Sequence, residues 1–328
     1  MRKILLGGLL AAAGVFSGLA QAQTFCVFDP LGASGDYYSM IKDYQLAAKR
    51  WNVNLDLKTF TDETAATEAF KAGQCDIQNM TGMRARQFNK FTGTLDAPSV
   101  IENYTDMHTV LDMVNSPKLA KLMVSGNYEV VGVLPIGAGY AFVHDRKINT
   151  LAQAAGLKIA VMDWDKSQSM LVQQVGGVPV PADITTFGDK FNKGAVDAIV
   201  APAALYKPME LYRGVGKGGG IVHRPFFQFT MQLVMRKDKF PEKFGEQSRD
   251  HVADHLDQAF GLIRNTENAI DGSNWIYAAR AENLQYEKVM RPALDRLVQV
   301  GVFDTRMLSL LKRVRCKHMP DNAECVGS

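Results

Sequence analysis

Short apolar strands and amphipathic helices alternate along this chain, and this alternation is the feature that most limits its fold. "TFCVFD" (24–29), "VNLDLKTF" (53–60) and "CDIQNM" (75–80) have the length and apolar content of strands. A helical apolar spacing over 36–51 separates the first two, and "TDETAATEAFKAG" (61–73) separates the second and third. This order favours a parallel sheet with helices on its faces. Right-handed connections then allow the first strand to lie beside the third.

The same order of elements returns after residue 130, which predicts a second α/β lobe. "VVGVLPIGAGYAFVH" (130–144) contains two strand-like runs, and "LKIAVM" and "AVDAIVAP" are further strands separated by helices. "FKAGQCDI" and "FNKGAVDA" share a pattern in which glycine ends a helix and aspartate follows an apolar strand residue, although chance is a rival explanation. The long run "GIVHRPFFQFTMQLVMR" (220–236) is predicted to return the chain to the first lobe.

The N-terminus has the three parts of a secretory signal peptide. Arg2 and Lys3 are basic, an apolar stretch follows from Ile4 to Leu19, and Ala20 and Ala22 supply small residues at the cleavage positions. We predict a signal peptide over 1–22, cleaved after Ala22. A transmembrane anchor is the alternative, but the stretch is short and interrupted by glycine. The mature chain is therefore expected to be exported to the periplasm and not to span the membrane.

Four cysteines in an exported chain predict two disulfides. Cys316 and Cys325 are close in sequence and would tie down a polar tail. If the first strand lies beside the third, Cys26 and Cys75 come together at the same end of the sheet, which supports their pairing. Three pairings remain possible from the sequence, and a zinc site is disfavoured because no C-x-x-C spacing occurs.

Charge and motifs argue against nucleic-acid binding and give little support to an enzyme. The chain has 37 basic and 34 acidic residues, a net charge of +3, which is too balanced for a nucleic-acid footprint. It has no G-x-S-x-G, H-E-x-x-H or Walker A sequence. His251 and His255, with Asp254 and Asp257 nearby, could face one metal ion on a helix, although a polar helix face is the simpler interpretation. We predict no cofactor and no metal.

One family resemblance joins these elements. "GLKI" (156–159), "GGVPVP" (176–181) and "GAVD" (194–197) occur in the order found in the solute-binding P-subunits of tripartite ATP-independent periplasmic (TRAP) transporters. "FKAGQCDIQNMTG" and "TLDAPSVIENYTDMHTVLD" in the first lobe resemble the same family. The resemblance covers roughly 24–260, and the C-terminal segment follows it poorly, so the chain resembles a divergent branch.

The resemblance implies an α/β fold of the periplasmic binding protein type, with two lobes, a hinge and a crossing strand. Lobe I would comprise 23–144 and 230–260, lobe II 145–229, and a helical C-terminal extension with a disulfide-tied tail 261–328. Such a protein closes on a small organic molecule and delivers it to a membrane transporter subunit. A receptor of the same fold that serves a sensor or an efflux system is the alternative, and an exported metal-dependent hydrolase using His251 and His255 is a further one.

The predicted ligand site lies beyond the carboxyl ends of the strands, where open α/β sheets bind their ligands. The candidate ligand-binding residues are Asp29, Tyr38, Arg84, Arg86, Asp163, Trp164, Asp165 and Tyr206. Other roles are open for several of them. Asp163 and Asp165 could cap the helix that follows, Trp164 could pack in the core, and the two arginines could be surface charges. Tyr37 lies on the apolar stripe of its helix and is expected to be a core residue.

The family resemblance also marks a departure. In that family an arginine directly after G-L-K-I pairs with the ligand carboxylate, and here that position is Ala160. Arg84 or Arg86 could supply the missing bidentate grip on a carboxylate. An indole and tyrosines beside carboxylates would instead suit an amine. An organic acid and an amine are therefore both open as ligands.

Overall fold

The computed structural model describes residues 22–277, 279–320 and 325, and among them ten strands form one mixed sheet. The strands are β1 (Gln23–Phe28), β2 (Leu55–Phe60), β3 (Ile77–Thr81), β4 (Val124–Ser125), β5 (Tyr128–Val143), β6 (Lys158–Met162), β7 (Val178–Ala182), β8 (Ala198–Pro202), β9 (Gly220–Arg236) and β10 (Trp275–Ile276). Their order is β2-β1-β3-β9-β5-β8-β6-β7, with β10 paired to β9 and β4 to β5. The predicted adjacency of the first and third strands is confirmed, since β1 pairs in parallel with β3.

Helices cover the faces of this sheet, as the strand–helix alternation predicts. They are α1 (Asp36–Arg50), α2 (Glu63–Lys71), α3 (Gly82–Ala85), α4 (Lys90–Gly93), α5 (Tyr104–Asn115), α6 (Lys166–Gln174), α7 (Phe187–Asn192), α8 (Tyr212–Val215), α9 (Phe244–Asp254), α10 (Leu256–Asn268), α11 (Arg280–Gln299) and α12 (Thr305–His318). Several begin at a side-chain cap: Asp62, Asn103 and Asp304 each accept a hydrogen bond from an amide in the first turn. The chain leaves α2 through Gly73, whose φ of +75° favours glycine.

Two long strands join the two halves of the sheet. We call β2, β1 and β3 the first half, β8, β6 and β7 the second half, and β5 and β9 the crossing strands. β3 pairs with residues 231–235 of β9, whereas β8 pairs with residues 139–143 of β5, both antiparallel. The sheet is thus parallel within each half and antiparallel where the crossing strands run between them.

The prediction of two separate strand-like runs within 130–144 is wrong, because β5 is one strand of 16 residues. Pro135 and Gly137 suggested a break in the strand. In the structure the register of β5 against β9 shifts between them, where they lie opposite Thr230 and Phe229. Proline donates no ladder hydrogen bond, and Gly137 has a φ of +125°, so both residues fit an irregular point inside a continuous strand.

A larger irregularity lies where the crossing strands pass from one half to the other. One residue separates Gly139 from Ala141 on β5, whereas four residues separate their partners Phe227 and Val222 on β9. Pro225 lies in this four-residue excursion, where its missing N–H costs no ladder bond. The chain therefore bends at residues 223–226, between the two halves.

The C-terminal helices contact both halves of the sheet. Met307 and Leu311 of α12 are fully buried in a hydrophobic cluster that also contains Met80 of β3. α11 lies against α6, and the Gln174 side chain donates a hydrogen bond to the Val289 carbonyl at 3.2 Å. The predicted boundary between 260 and 261 falls inside α10, so the division into lobes and extension stays a prediction.

Both predicted cysteine pairs are present. Cys26 pairs with Cys75 at a Cα–Cα distance of 5.7 Å, and Cys316 pairs with Cys325 at 5.3 Å; we call the latter the tail disulfide. The predicted signal peptide, apart from Ala22, lies outside the described residues. Over 22–277 and 279–320, no helix has the length and apolar character needed to cross a bilayer.

Candidate ligand-binding site

A cavity of about 240 Å³ lies between the two halves of the sheet. The first half contributes Phe28 and the turn after β3, and the second half contributes β6 from Ile159 to Met162. The crossing strand β9 contributes Phe226, Phe227, Phe229 and Met231. Tyr286 and Met290 of α11 also line it. Because no single element encloses this space, its shape depends on how the two halves meet.

The cavity wall is predominantly apolar. It consists mainly of aliphatic, aromatic and methionine side chains. Among the described residues that line it, three carry charged side chains, namely Glu63, Arg224 and Glu282. These three define the two polar ends of the cavity.

Glu63 forms the first polar end together with Arg84. Its carboxylate accepts a hydrogen bond from the Thr81 amide at 2.6 Å, and its second oxygen lies 3.6 Å from Nε of Arg84. Arg84 also donates to the Thr64 hydroxyl at 2.9 Å. Burial raises the pKa of Glu63, and the neighbouring guanidinium opposes that rise.

Arg224 forms the second polar end, at the bend of β9. Its side chain is 7% exposed, and it donates a hydrogen bond to the Glu282 carbonyl at 3.2 Å. The guanidinium carbon lies 4.0 Å from the centre of the Tyr286 ring, within cation–π range. Burial lowers the pKa of Arg224, and nearby Tyr286, Glu102, Glu287 and Glu282 oppose this effect.

Three pairs of side chains connect the two halves across the mouth of the cavity, and we call them the cleft contacts. The Arg84 guanidinium stacks on the Trp164 ring at 3.7 Å. Arg86 lies 3.7 Å from the Asp165 carboxylate. The Gln168 amide contacts the Met83 sulfur at 2.9 Å. In each pair the first-half residue follows β3 and the second-half residue follows β6.

The cleft contacts include four of the predicted ligand-binding residues. The structure brings Arg84, Arg86, Trp164 and Asp165 together and pairs them with one another. Trp164 alone of the four lines the cavity. Asp165 also caps α6, because its side chain accepts the Ser167 amide at 2.9 Å. Direct ligand contact by these residues stays a prediction.

The other predicted residues lie away from the cavity wall. Asp163 is exposed to solvent. Asp29 is 2% exposed and accepts the Leu31 and Tyr38 amides at 2.8 and 3.0 Å, so it organises the turn before α1. Burial raises the pKa of Asp29, and these amide hydrogen bonds oppose the rise.

The three tyrosines differ in their relation to the cavity. Tyr38 packs against the core cluster beneath α1, and Tyr206 stacks on Phe142 inside the second half. Tyr37, expected to be a core residue, lines the cavity. Helical spacing identified the buried stripe but could not show that part of this stripe faces an empty space.

Sequence reasoning missed Glu63 and Arg224. Arg224 carries a recognisable signal, since it is a charged residue beside a proline inside a long apolar strand. Glu63 carries no such signal, because an acid in the first turn of a helix is common for electrostatic reasons alone. Its burial becomes visible only when α2 is packed against the end of β3.

The histidine pair considered as a metal site is part of an aromatic cluster. The His251 and His255 rings are 4.2 Å apart, and His251 packs on Trp51 and Tyr44 at 5.7 and 5.9 Å. Burial lowers the pKa of His251, and so does its histidine neighbour. Over the described ranges, no three His, Cys, Asp or Glu side chains are grouped closely enough to hold a metal ion.

A cavity enclosed between two sheet halves that share crossing strands is the architecture of periplasmic solute-binding proteins. The fold is similar to that of a TRAP periplasmic solute-binding protein from Ralstonia eutropha H16 with bound (S)-2-acetolactate (TM-score 0.72, 15% identity, 91% of this chain and 99% of that one). It is also similar to the ectoine-binding protein of the TeaABC TRAP transporter from Halomonas elongata (TM-score 0.72, 14% identity, 90% and 99%). The predicted TRAP-receptor fold is confirmed.

The chain belongs to the family described as "Solute-binding protein AdeT 1/2", whose model matches residues 45–328. It is 45% identical over 299 residues to "Probable solute-binding protein AdeT1" of Acinetobacter baumannii, covering 91% of this chain and 98% of that protein. "Probable solute-binding protein AdeT2" of the same species is 24% identical over 233 residues, covering 71% and 98%. The predicted class, a solute-binding protein, is confirmed.

Proposed function

We propose that this protein is a periplasmic receptor that captures one small molecule in the cavity and presents it to a membrane transport component. The observation that carries the proposal is the cavity itself, which takes its walls from both halves of the sheet and from α11. A space of about 240 Å³ with this shared wall suits a ligand that is surrounded on binding. Capture and release require no covalent step, so we propose a receptor and not an enzyme.

Binding closes the two halves about the crossing strands. The bend of β9 at residues 223–226 supplies a point where the ladder is already interrupted, so rotation there breaks few hydrogen bonds. The cleft contacts then form only when the halves approach, and they stabilise the closed state. A membrane partner that recognises the closed state would accept the protein only when it is loaded.

The location and the partner are part of the proposal. The predicted signal peptide, with cleavage after Ala22, directs the chain to the periplasm. The structural relative from Halomonas elongata is a component of a TRAP transporter, which supports a membrane transporter subunit as the partner here. Cross-linking of the closed protein to membranes, followed by identification of the captured protein, tests this part. Capture of a sensor kinase or an efflux pump would show that the receptor serves sensing or efflux and not uptake.

Intact mass spectrometry tests the receptor function directly. The full chain, with its own leader, is produced in a bacterial host and isolated from the periplasm without denaturation. We expect a mature chain that begins at Gln23 and carries one noncovalently bound small molecule, which unfolding releases for identification. Cytoplasmic retention of the precursor would contradict export. A chain that carries no added mass, and that does not change its small-angle scattering on exposure to periplasmic extract, would contradict the receptor function.

A further inference from the structure

The charges around the cavity point to the class of ligand. We propose that the cavity selects apolar amines and excludes carboxylates; this inference rests on the receptor function proposed above. Three regions of the cavity bear on this selectivity: the two polar ends and the apolar wall between them, as the described side chains form them.

At the first polar end, both arginines already face side chains of the protein. Arg84 faces Glu63, and its guanidinium is covered by the Trp164 ring at 3.7 Å. Arg86 is engaged by Asp165, by the Ser167 hydroxyl at 3.2 Å and by the Gly93 carbonyl at 3.1 Å. Two ion pairs, Arg84–Glu63 and Arg86–Asp165, lie at this end. Of these four side chains, the Glu63 carboxylate is the one that lines the cavity, and its charge is negative.

At the second polar end, three acids lie near Arg224. Arg224 and Glu282 both line the cavity, and the Glu102 and Glu287 carboxyl groups lie close behind Arg224. Burial and the adjacent Glu287 together raise the pKa of Glu102 to about 7, because two carboxylates are crowded there. A ligand cation would relieve this crowding, and a ligand anion would add to it.

The part of the wall that β6 forms offers a carboxylate no cation. Ala160 of β6 lines the cavity at the position where the resembling family has its carboxylate-binding arginine. Its neighbours on the same strand, Ile159, Val161 and Met162, have side chains without a hydrogen-bond donor. A carboxylate placed against β6 would lose its water without gaining a side-chain donor from that strand, whereas an apolar body would gain from the same contact.

A matched set of ligands tests the inference. 4-Phenylbutylamine, 4-phenylbutanamide and 4-phenylbutanoate share one apolar body and differ in the charge of one end. Their dissociation constants for the mature protein are measured by titration calorimetry at pH 7.5. We expect the amine to bind at least about tenfold more tightly than the carboxylate, with the amide between them.

Two variants assign the selectivity to this cavity. Ala160→Arg places a cation on the wall and is expected to reverse the order, so that the carboxylate binds more tightly than the amine. Ala160→Met is the control, because it occupies similar space without charge and should retain the wild-type order. Glu282→Gln keeps an acceptor for the Leu151 amide but removes a negative charge, and it should narrow the ratio of amine to carboxylate affinity.

Each outcome decides the inference. Tighter binding of the amine by the wild type, reversed in Ala160→Arg and retained in Ala160→Met, supports it. A carboxylate that binds the wild type within tenfold of the amine overturns the ligand class but leaves the receptor function standing. An amide that binds more tightly than the amine overturns the preference for a cation. Failure of all three to bind overturns the inference, and the mass and scattering experiments above then decide the receptor function separately.

Discussion

Asp165→Asn separates two roles of one side chain, helix capping and closure of the cleft. Asn is as good an N-cap as Asp, so the hydrogen bond from the Ser167 amide is retained. The negative charge that faces Arg86 at 3.7 Å is lost. We therefore expect little change in the stability of α6 and a weaker closed state.

The size of the effect follows from the geometry of the ion pair. Two unit charges about 4 Å apart near a protein surface attract by about 4 kcal/mol before desolvation is counted. The Arg86 and Asp165 side chains are 13% and 6% exposed, and their separation exceeds that of a hydrogen bond, so the net contribution is about 1–2 kcal/mol. If the pair forms only in the closed state, the apparent affinity for ligand falls by about 5- to 30-fold.

The matched control is Asp163→Asn, which removes the same charge two residues earlier from an exposed position. Affinity is measured by calorimetry with the molecule released from the native protein, and thermal unfolding is recorded for both variants. We expect weaker binding only for Asp165→Asn, with unchanged unfolding midpoints for both. Equal affinities of the two variants would refute the argument that this ion pair holds the cleft closed.

Three further predictions concern stability. Burial raises the pKa of Asp96 from its ordinary value of 3.8 to about 7. The protonated carboxyl therefore favours the folded state at low pH, and this contribution is lost as the pH rises from near 3.8 through about 7. Asp96→Asn should accordingly stabilise the protein more at pH 8 than at pH 5. Joint replacement of Cys26 and Cys75 by alanine should lower the unfolding midpoint more than removal of the tail disulfide, because a chain-entropy estimate gives about 4 kcal/mol for a separation of 49 residues and about 2.5 kcal/mol for 9. Gly35→Ala should cost about 2–4 kcal/mol, because a Cβ there would lie 2.0 Å from the Asp29 carboxylate and displace it from two amides.

Thermal or denaturant unfolding checks all three. An Asp96→Asn effect that is equal at pH 5 and pH 8 would show that this carboxyl is not held protonated by burial. If removing the tail disulfide lowers the unfolding midpoint more than removing the Cys26–Cys75 disulfide, loop length does not govern how much each disulfide contributes to stability. A Gly35→Ala protein as stable as the wild type would mean that the turn around Asp29 moves at no cost.

The sequence predicted much of the fold because strand and helix periods are local properties. Apolar alternation and helix caps identified most strands and helices. Placing the first strand beside the third supported the Cys26–Cys75 pairing among the three that the sequence left open. The single long β5 was not predicted, because Pro135 and Gly137 carry the local signature of a break. The pairing with β9 on both sides of this point keeps the strand continuous.

The sequence indicated where several candidate site residues would lie, but not the contacts that they make. The rule that ligands lie beyond the carboxyl ends of strands led to Arg84, Arg86, Trp164 and Asp165, which do meet at one place. Their mutual pairing was not foreseen, since a single sequence does not report which charges lie opposite one another. Arg224 was missed for a related reason, because its partners are on α11, far along the chain.

The sequence by itself determined the class of this protein: the order of strands and helices and the motifs around Gly156 and Gly176 together indicate a solute-binding protein, and the N-terminus predicts its export. Only the tertiary structure decided the character of the site. Periodicity shows which face of an element is buried, but burial against a neighbour and burial around an empty space give the same pattern. The apolar wall, the acids at its two ends and the cleft contacts arise where the two halves meet, so they depend on contacts between residues that are distant in sequence.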